Sequence, residues 1–167
     1  MSKVKMNLAI SLDGYISRLD GSVDYLGEST DKDATDNFNA FLDSIDTIIM
    51  GRSSFDKMKE FGEYPFKTKE TYIVTSQDIQ EKGYTFITLD EIEEVLSSEK
   101  NIWLFGGARL VQYFNDNDLV DEYIVTIVPE LIGSGIPLFL QFKNDIHLEL
   151  KDSKIIGEFI TLTYIKK

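Results

Sequence analysis

The chain contains no cysteine among its 167 residues. Disulfide bonds, zinc sites built on thiolates and cysteine nucleophiles are therefore excluded. The only histidine, His147, lies in the alternating stretch DIHLELK, which is typical of a strand, so we assign it no role. No apolar run approaches the roughly 20 residues of a membrane span, and the apolar part of the N-terminus is too short for a signal peptide. We expect a cytoplasmic protein without a metal site.

Positive charge is also scarce. The net charge of −12 argues against nucleic acid and anionic membranes as partners. Only three of the 17 cationic residues are arginines: Arg18, Arg52 and Arg109. Two of these come just after a predicted strand end that carries glycine, in the segments MGRSSF and FGGARL. Because guanidinium groups suit phosphate better than ammonium groups do, these two arginines are candidate phosphate ligands.

Apolar residues make up 43% of the chain, with 11 Phe and 8 Tyr, which predicts a globular protein with a sizeable core. Internal repeats and Pro/Ser-rich linkers are lacking as well. We therefore expect residues 1–167 to form a single domain.

The order of the predicted elements indicates the fold class. Strands alternate with helices in the first part of the chain, whereas the last part is rich in strands. This pattern predicts an α/β fold with parallel strands, helices on both faces and an antiparallel edge. The expected strands are residues 4–12, 46–51, 71–76, 84–89, 101–105, 121–131, 146–155 and 157–167. The expected helices are residues 34–44, 52–60, 90–97 (with Asp90 as N-cap) and 108–114, and residues 13–31 are expected to be a long polar loop.

Ligands of such sheets bind beyond the carboxyl ends of the strands. Small and hydroxyl-bearing residues occupy four of these predicted ends: Gly14, Gly51, Thr75 with Ser76, and Gly106 with Gly107. Helices begin at several of them, and helix N-termini bind phosphate. Each turn alone is better explained as a tight connection with an N-cap, but the four together favour a dinucleotide site.

Four segments carry a resemblance to a known superfamily: AISLDGYIS, FLDSIDTIIMGRSSF, IWLFGGARLVQYF and LVDEYIVTIVPELIGSGIPLF. They resemble the dihydrofolate reductase-like proteins, and the carboxy-terminal reductase domain of the riboflavin-biosynthesis deaminase-reductase (RibD) more closely than dihydrofolate reductase itself. The resemblance implies a three-layer sandwich around a mixed, mostly parallel sheet of about eight strands. The zinc-binding deaminase signature cannot occur in a chain without cysteine, so we expect a stand-alone reductase-like unit.

The resemblance also implies a function, namely NADPH-dependent hydride transfer to a small heterocyclic substrate. The implied activity is similar to that of 5-amino-6-(5-phosphoribosylamino)uracil reductase. Dihydrofolate reduction is one alternative, and a non-catalytic nucleotide-binding module is another.

The family motifs assign the cofactor-binding residues by position. Ala9 and Ile16 would flank the nicotinamide. The remaining positions are Gly51, Arg52 and Ser53 at the adenosine 2′-phosphate, Thr75 and Ser76 at the adenosine, and Gly106, Gly107, Ala108 and Arg109 at the pyrophosphate. Ala108 replaces a third glycine that is often found in this turn.

Catalytic and substrate-binding residues are less well marked. The family's acidic residue on the first helix corresponds to Asp36, with Thr35 competing for the position. Asp13 is either a turn-forming residue or a catalytic substrate contact. Phe38, Glu130 and Gly133 complete the candidate substrate site.

The resemblance further implies a homodimer, since riboflavin-branch relatives are commonly dimeric. The last two predicted strands carry Phe159, Leu162 and Tyr164, which would be available for a two-fold interface. Alternatively, the alternating Glu and Lys residues of these strands protect the edge of a monomer.

Overall fold

A computed structural model describes residues 2–27 and 31–167. Its strands are β1 (Lys3–Ser11), β2 (Tyr15–Ser17), β3 (Thr47–Gly51), β4 (Glu70–Val74), β5 (Thr85–Ile87), β6 (Asn101–Gly106), β7 (Glu122–Val128), β8 (Ile136–Pro137), β9 (Leu148–Ile156) and β10 (Phe159–Lys166). Its α-helices are α1 (Lys32–Asp43), α2 (Arg52–Glu60), α3 (Ile92–Leu96) and α4 (Ala108–Asp116). Two short 3₁₀ turns occupy Asp24–Leu26 and Leu89–Glu91.

Eight of the strands form one twisted sheet in the order β5-β4-β3-β6-β1-β7-β10-β9. Neighbouring strands from β5 to β7 run parallel, whereas β10 is antiparallel to both β7 and β9. The predicted mixed, mostly parallel sheet with an antiparallel edge is confirmed. The parallel order brings the carboxyl ends of β1, β3, β4 and β6 to the same edge of the sheet.

Helices cover both faces of this sheet. On one face, α1 and α2 pack over a core that includes Ile48, Phe55 and Trp103. On the other face, α3 and α4 pack over a second core, in which Val111 and Phe114 are fully buried. Removal of these side chains from water stabilises the arrangement, and the predicted three layers are confirmed.

Two local expectations were wrong. The helix expected to start at Asp90 starts at Ile92, after a 3₁₀ turn (Leu89–Glu91) that is capped by Thr88: Glu91 reaches back and accepts hydrogen bonds from the Thr88 backbone N–H (2.7 Å) and hydroxyl (3.0 Å). The segment expected to be an irregular loop contains β2, which pairs with β8. Gly135 makes this pairing possible, since a Cβ there would lie 2.3 Å from the Ser17 carbonyl oxygen.

The final hairpin also differs from expectation. The two strands pair as predicted, but Phe159 does not lie on an exposed face: it faces a cavity beside α1. The exposed apolar side chains of this hairpin lie on the opposite face of the sheet, because side-chain direction alternates along a strand. They are Leu150, Ile155 and Ile160, which are 53%, 77% and 40% exposed.

None of the helices in the described ranges is long and apolar enough to cross a bilayer.

Candidate functional site

The glycine turns after β3 and β6 lie against each other. A Cβ on Gly51 would be 3.6 Å from both the Gly106 carbonyl oxygen and the Gly107 nitrogen, and a Cβ on Gly107 would be 3.5 Å from the Ser54 hydroxyl. Gly106 has a φ of +113°, which side chains rarely allow, and it is joined to Gly107 by a cis peptide bond. Two strand ends thus form one continuous, small-residue surface.

Helices α2 and α4 both begin on this surface. Their N-caps are Gly51 and Gly107, and neither helix receives a side-chain cap from the residues that the structure describes. Helix α1 differs, since Asp31 accepts hydrogen bonds from the N–H groups of Asp33 and Ala34. The first N–H groups of α2 and α4 are therefore left to water or to an anion, and the helix dipoles favour the anion.

Arg52 stands at the start of α2. Its Nε lies 2.8 and 2.9 Å from the two carboxylate oxygens of Asp56, and its guanidinium lies 5.8 Å from the centre of the Phe86 ring. Its Nη1 is buried without a hydrogen-bond partner among the described residues. A buried donor without a partner destabilises the folded protein. A ligand that accepts a hydrogen bond from Nη1 would therefore be favoured at this position.

The other cofactor-binding candidates lie around the same edge. Gly51 is in register with Val74, which places Thr75 and Ser76 beside the start of α2. The Thr75 hydroxyl accepts a hydrogen bond from the Gln77 N–H (3.1 Å), whereas Ser76 is exposed. The positions at the helix starts differ in burial: Ser53 and Arg109 are exposed, and Ala108 is buried.

A cavity of about 330 Å³ opens on the same face of the sheet as α1. Its walls come from β1, β7, the β9–β10 hairpin, α1 and the turn before α1. Its described lining residues are Asn7, Ala9, Leu26, Gly27, Ala34, Asn37, Phe38, Ile124, Thr126, Val128, Ile156, Phe159 and Thr161.

Two polar side chains of this lining, Thr126 and Thr161, lie in one row across the sheet. Ala9, Thr126 and Thr161 are in register on adjacent strands, and Lys154 continues the row on β9. The hydroxyls of Thr126 and Thr161 hydrogen-bond to each other at 2.9 Å. Lys154 donates to the side-chain oxygen of Asn37 at 3.0 Å and thereby joins the hairpin to α1.

An aromatic layer supports the cavity from behind. Phe38 is 39% exposed, and its ring meets Trp103 edge-on with 5.8 Å between centroids. The Trp103 indole N–H donates to the Asn7 carbonyl at 3.1 Å. Trp103 is itself buried, as expected of a core residue. It therefore holds Phe38 of α1 and Asn7 of β1 in the cavity wall without lining the cavity itself.

The two carboxylates considered as catalytic residues lie outside this cavity lining. Asp36 is exposed and paired with Lys32, one turn away on the outer side of α1. Asp13 accepts hydrogen bonds from the Ser11 hydroxyl (2.6 Å) and from the N–H groups of Ile132 (3.3 Å) and Gly133 (2.7 Å). The Ser11 hydrogen bond and these backbone donors lower the pKa of Asp13, which makes it a poor proton donor.

Three further candidates have structural contacts. Glu130 is exposed, and its carbonyl accepts a hydrogen bond from the Leu12 N–H at 2.8 Å, while Gly133 donates to Asp13. Ile16 packs against the core on the α3–α4 face. Of the predicted nicotinamide and substrate contacts, the structure brings Ala9 and Phe38 together at the cavity.

Several cavity residues were missed from the sequence, namely Asn7, Asn37, Thr126, Phe159 and Thr161. A signal for Thr126 and Thr161 existed: both are polar positions within otherwise apolar strands, where a polar side chain on a covered face needs a partner or a ligand. The sequence could not show that they face each other, because that depends on the register between β7 and β10.

A second cavity, of about 400 Å³, lies between the end of α1 and residues 65–69. It opens at the amino ends of β3 and β4, away from the glycine turns. Ligand sites of such sheets lie at the opposite edge, so we assign it no role.

Comparisons with known proteins agree with this geometry. The sequence model of the RibD C-terminal domain family matches residues 59–162. The Bacillus subtilis (strain 168) protein YwjB, which is uncharacterised, is 36% identical over 171 residues, covering 98% of each chain.

Two solved structures share the fold. A Shewanella sp. PV-4 protein whose name places it in riboflavin biosynthesis has a TM-score of 0.88 at 25% identity and is matched over 100% of this chain and 99% of its own. Dihydrofolate reductase from Enterococcus faecalis, complexed with NADP(H), has a TM-score of 0.74 at 16% identity, over 99% and 96% of the two chains. Together with the paired glycine turns and the cavity beside α1, these matches show that the chain belongs to the RibD C-terminal domain family and has a dihydrofolate reductase-like fold.

Proposed function

We propose that residues 1–167 form a single NADPH-dependent reductase domain that transfers a hydride to a small heterocyclic substrate. The observation that carries the proposal is the meeting of two uncapped helix N-termini on one small-residue surface, at the sheet edge where ligands bind. Gly106 continues this surface towards β1, because a Cβ on it would lie 3.6 Å from the Leu8 side chain, and Ala9 follows on the cavity wall.

The residues at this surface fit a phosphorylated dinucleotide. Gly107 leaves room for a pyrophosphate to approach the backbone, and the Ser54 hydroxyl is directly beside it. Arg52 has an unpaired donor and would meet the adenosine 2′-phosphate. When bound, NADPH supplies a hydride from C4 of its nicotinamide and becomes NADP⁺.

The cavity beside Ala9 would hold the substrate. The hydride carries two electrons to the carbon of a C=N or C=O bond, and the nitrogen or oxygen takes up one proton. The described lining residues include no ionisable side chain, so we assign the proton to water. The chain's own contribution is to orient the ring and to limit access of bulk water.

The substrate that we favour resembles the ribosylamino-pyrimidine of riboflavin biosynthesis, in line with the family. Dihydrofolate is the less favoured alternative. That reaction relies on an acidic residue of the first helix, and α1 turns Asn37 rather than Asp36 towards the cavity. We also keep the expectations of a cytoplasmic protein and a homodimer.

The test measures NADPH consumption with the ribosylamino-pyrimidine, dihydrofolate and related heterocycles, together with calorimetric titration of NADPH alone. We expect NADPH to bind and to be oxidised by at least one of these rings. Binding without oxidation by any ring would favour the nucleotide-binding module instead. A titration without detectable NADPH binding would refute both readings.

A further inference from the structure

We infer that Asn37, held in place by Lys154, determines which ring the cavity accepts, and that it selects rings presenting a carbonyl oxygen over rings presenting an amidine-type edge. The inference deepens the proposed function and rests on it in one respect only, namely that the cavity beside α1 holds the substrate.

The contact with Lys154 fixes the orientation of the Asn37 amide. An ammonium group can only donate hydrogen bonds, so the amide atom that it contacts at 3.0 Å must be the oxygen. Asn37 lines the cavity, and its NH₂ group has no hydrogen-bond partner among the residues that the structure describes, so it is available to a ligand. Its hydrogens are donors, and they call for an acceptor.

The threonine pair offers a second donor on a neighbouring wall. One hydroxyl of Thr126 and Thr161 donates to the other across 2.9 Å. The hydrogen of the accepting hydroxyl is then free, since each hydroxyl carries a single one. The Asn37 NH₂ group and one threonine hydroxyl thus present neutral donors, and the other polar side chain of the described lining, Asn7, carries both a donor and an acceptor.

Ring carbonyls of a lactam or imide are acceptors and complement these donors. An amidine edge carries amino N–H donors beside a ring nitrogen, and when that nitrogen is protonated the whole edge donates and is cationic. It pairs best with a carboxylate. At Asn37 it would meet an NH₂ group with the Lys154 ammonium behind it, and like charges repel.

Two bicyclic probes of the same size separate these possibilities: lumazine (2,4-dioxopteridine) and 2,4-diaminopteridine. Their dissociation constants are measured by calorimetry without cofactor. We expect the wild-type protein to bind lumazine at least about tenfold more tightly than 2,4-diaminopteridine. One or two hydrogen bonds between neutral groups would give a difference of this size. In Asn37→Asp, we expect the preference to reverse.

Asn39→Asp is the matched control, because it adds the same charge to the same helix at an exposed position outside this cavity. It should leave the preference unchanged. Lys154→Met should reduce the preference by freeing the Asn37 amide to rotate. Lys151→Met, on the same strand but paired with Glu122, should not.

The inference is overturned if the wild-type protein binds neither probe or both equally, if Asn37→Asp and Asn39→Asp shift the preference alike, or if Lys154→Met leaves it intact. A separate NADPH titration distinguishes these failures from failure of the proposed function. A protein that discriminates between the rings but does not bind NADPH refutes the reductase alone, and a reductase without ring preference refutes only the role of Asn37.

Discussion

The Asp13 carboxylate and the Gly133 backbone N–H form a 2.7 Å hydrogen bond that joins the turn after β1 to the loop after β7. Ser11 and Ile132 add hydrogen bonds to the same carboxylate. The pKa of Asp13 is lowered, first by the Ser11 hydroxyl and further by the backbone N–H groups. Asp13 therefore acts as an anionic clamp between two loops at the ligand-binding edge.

Asp13→Asn should lower the unfolding temperature at neutral pH, because an amide cannot accept all of these hydrogen bonds. The folded-state pKa of Asp13 lies below its unfolded value of about 3.9. Its stabilisation is therefore present above that pH and is lost as the pH falls through the folded-state pKa. Thermal unfolding of both proteins from about pH 7 down to about pH 2 should show the gap closing in acid. A gap independent of pH would contradict the clamp.

Gly107→Ala should weaken NADPH binding roughly ten- to a hundredfold while preserving the fold. Its φ of −80° suits any residue, and a Cβ there would meet only the Ser54 hydroxyl at 3.5 Å, so the clash arises with the cofactor. Gly106→Ala is the contrasting variant: at a φ of +113° it should cost about 1–3 kcal/mol of stability. Calorimetry and thermal unfolding separate the two effects. Normal NADPH binding by Gly107→Ala would refute the pyrophosphate assignment.

Arg52→Ala should reduce affinity for NADPH by about tenfold or more and affect NADH little. A charge-assisted hydrogen bond to phosphate contributes roughly 1.5–3 kcal/mol. Arg18→Ala serves as the control. It also removes a guanidinium, but Arg18 pairs with Asp24 in the segment before α1, whereas Arg52 begins α2. An equal loss for both cofactors in titrations would show that Arg52 does not contact the 2′-phosphate.

Gly135→Ala should separate β2 from β8. The added methyl carbon would lie 2.3 Å from the Ser17 carbonyl oxygen and 3.2 Å from the Tyr15 ring, so the strands must move apart. We expect a loss of about 1–3 kcal/mol in the free energy of unfolding. Ser134→Ala, at the exposed neighbouring position, should be nearly neutral in denaturant titrations. Equal stability of both variants would show that the pairing tolerates displacement.

Ile155→Glu should release monomers if the protein is a homodimer assembled through the apolar face of β9 and β10. Ile155, Leu150 and Ile160 are exposed on that face, and exposed apolar patches mark interaction surfaces. Light scattering should give twice the 19.1 kDa chain mass for the wild type and the chain mass for the variant. Phe159→Glu, which places a charge in the cavity, should impair ligand binding instead. A wild-type mass that stays at one chain as concentration rises would exclude the dimer.

The order of strands and helices could be predicted from the sequence because it depends on local periodicity. Helix α2 and the strand end at Gly51 were placed correctly, and the end of β6 was placed within one residue of Gly106, since buried runs that end in glycine are a local signal. The start of α3 was misplaced because Thr88 and Asp90 are both good N-caps: the Glu91 side chain caps Thr88, which begins a 3₁₀ turn, and α3 follows only from Ile92.

The substrate side of the site could not be predicted in this way. Asn37 and Asp36 are adjacent in sequence, and a rotation of α1 by about 100° decides which of them faces the cavity. That rotation is set by the packing of Phe41 and Phe38 against Trp103 on a distant strand. Contacts between α1 and β6 depend on the whole fold, so the family resemblance could assign the acidic position to Asp36 while the packing turns Asn37 towards the cavity.

The position of Trp103 gives the protein a built-in optical reporter. It is the only tryptophan in the chain, so all indole emission comes from one place. Its ring touches Phe38 at the cavity, and its N–H is bonded to the Asn7 carbonyl. A ligand that displaces the Phe38 ring or shifts the Asn7 carbonyl will change the wavelength or the intensity of this emission. Entry of unlabelled compounds can therefore be followed in real time, and the Asn37 variants can be compared without attaching a dye.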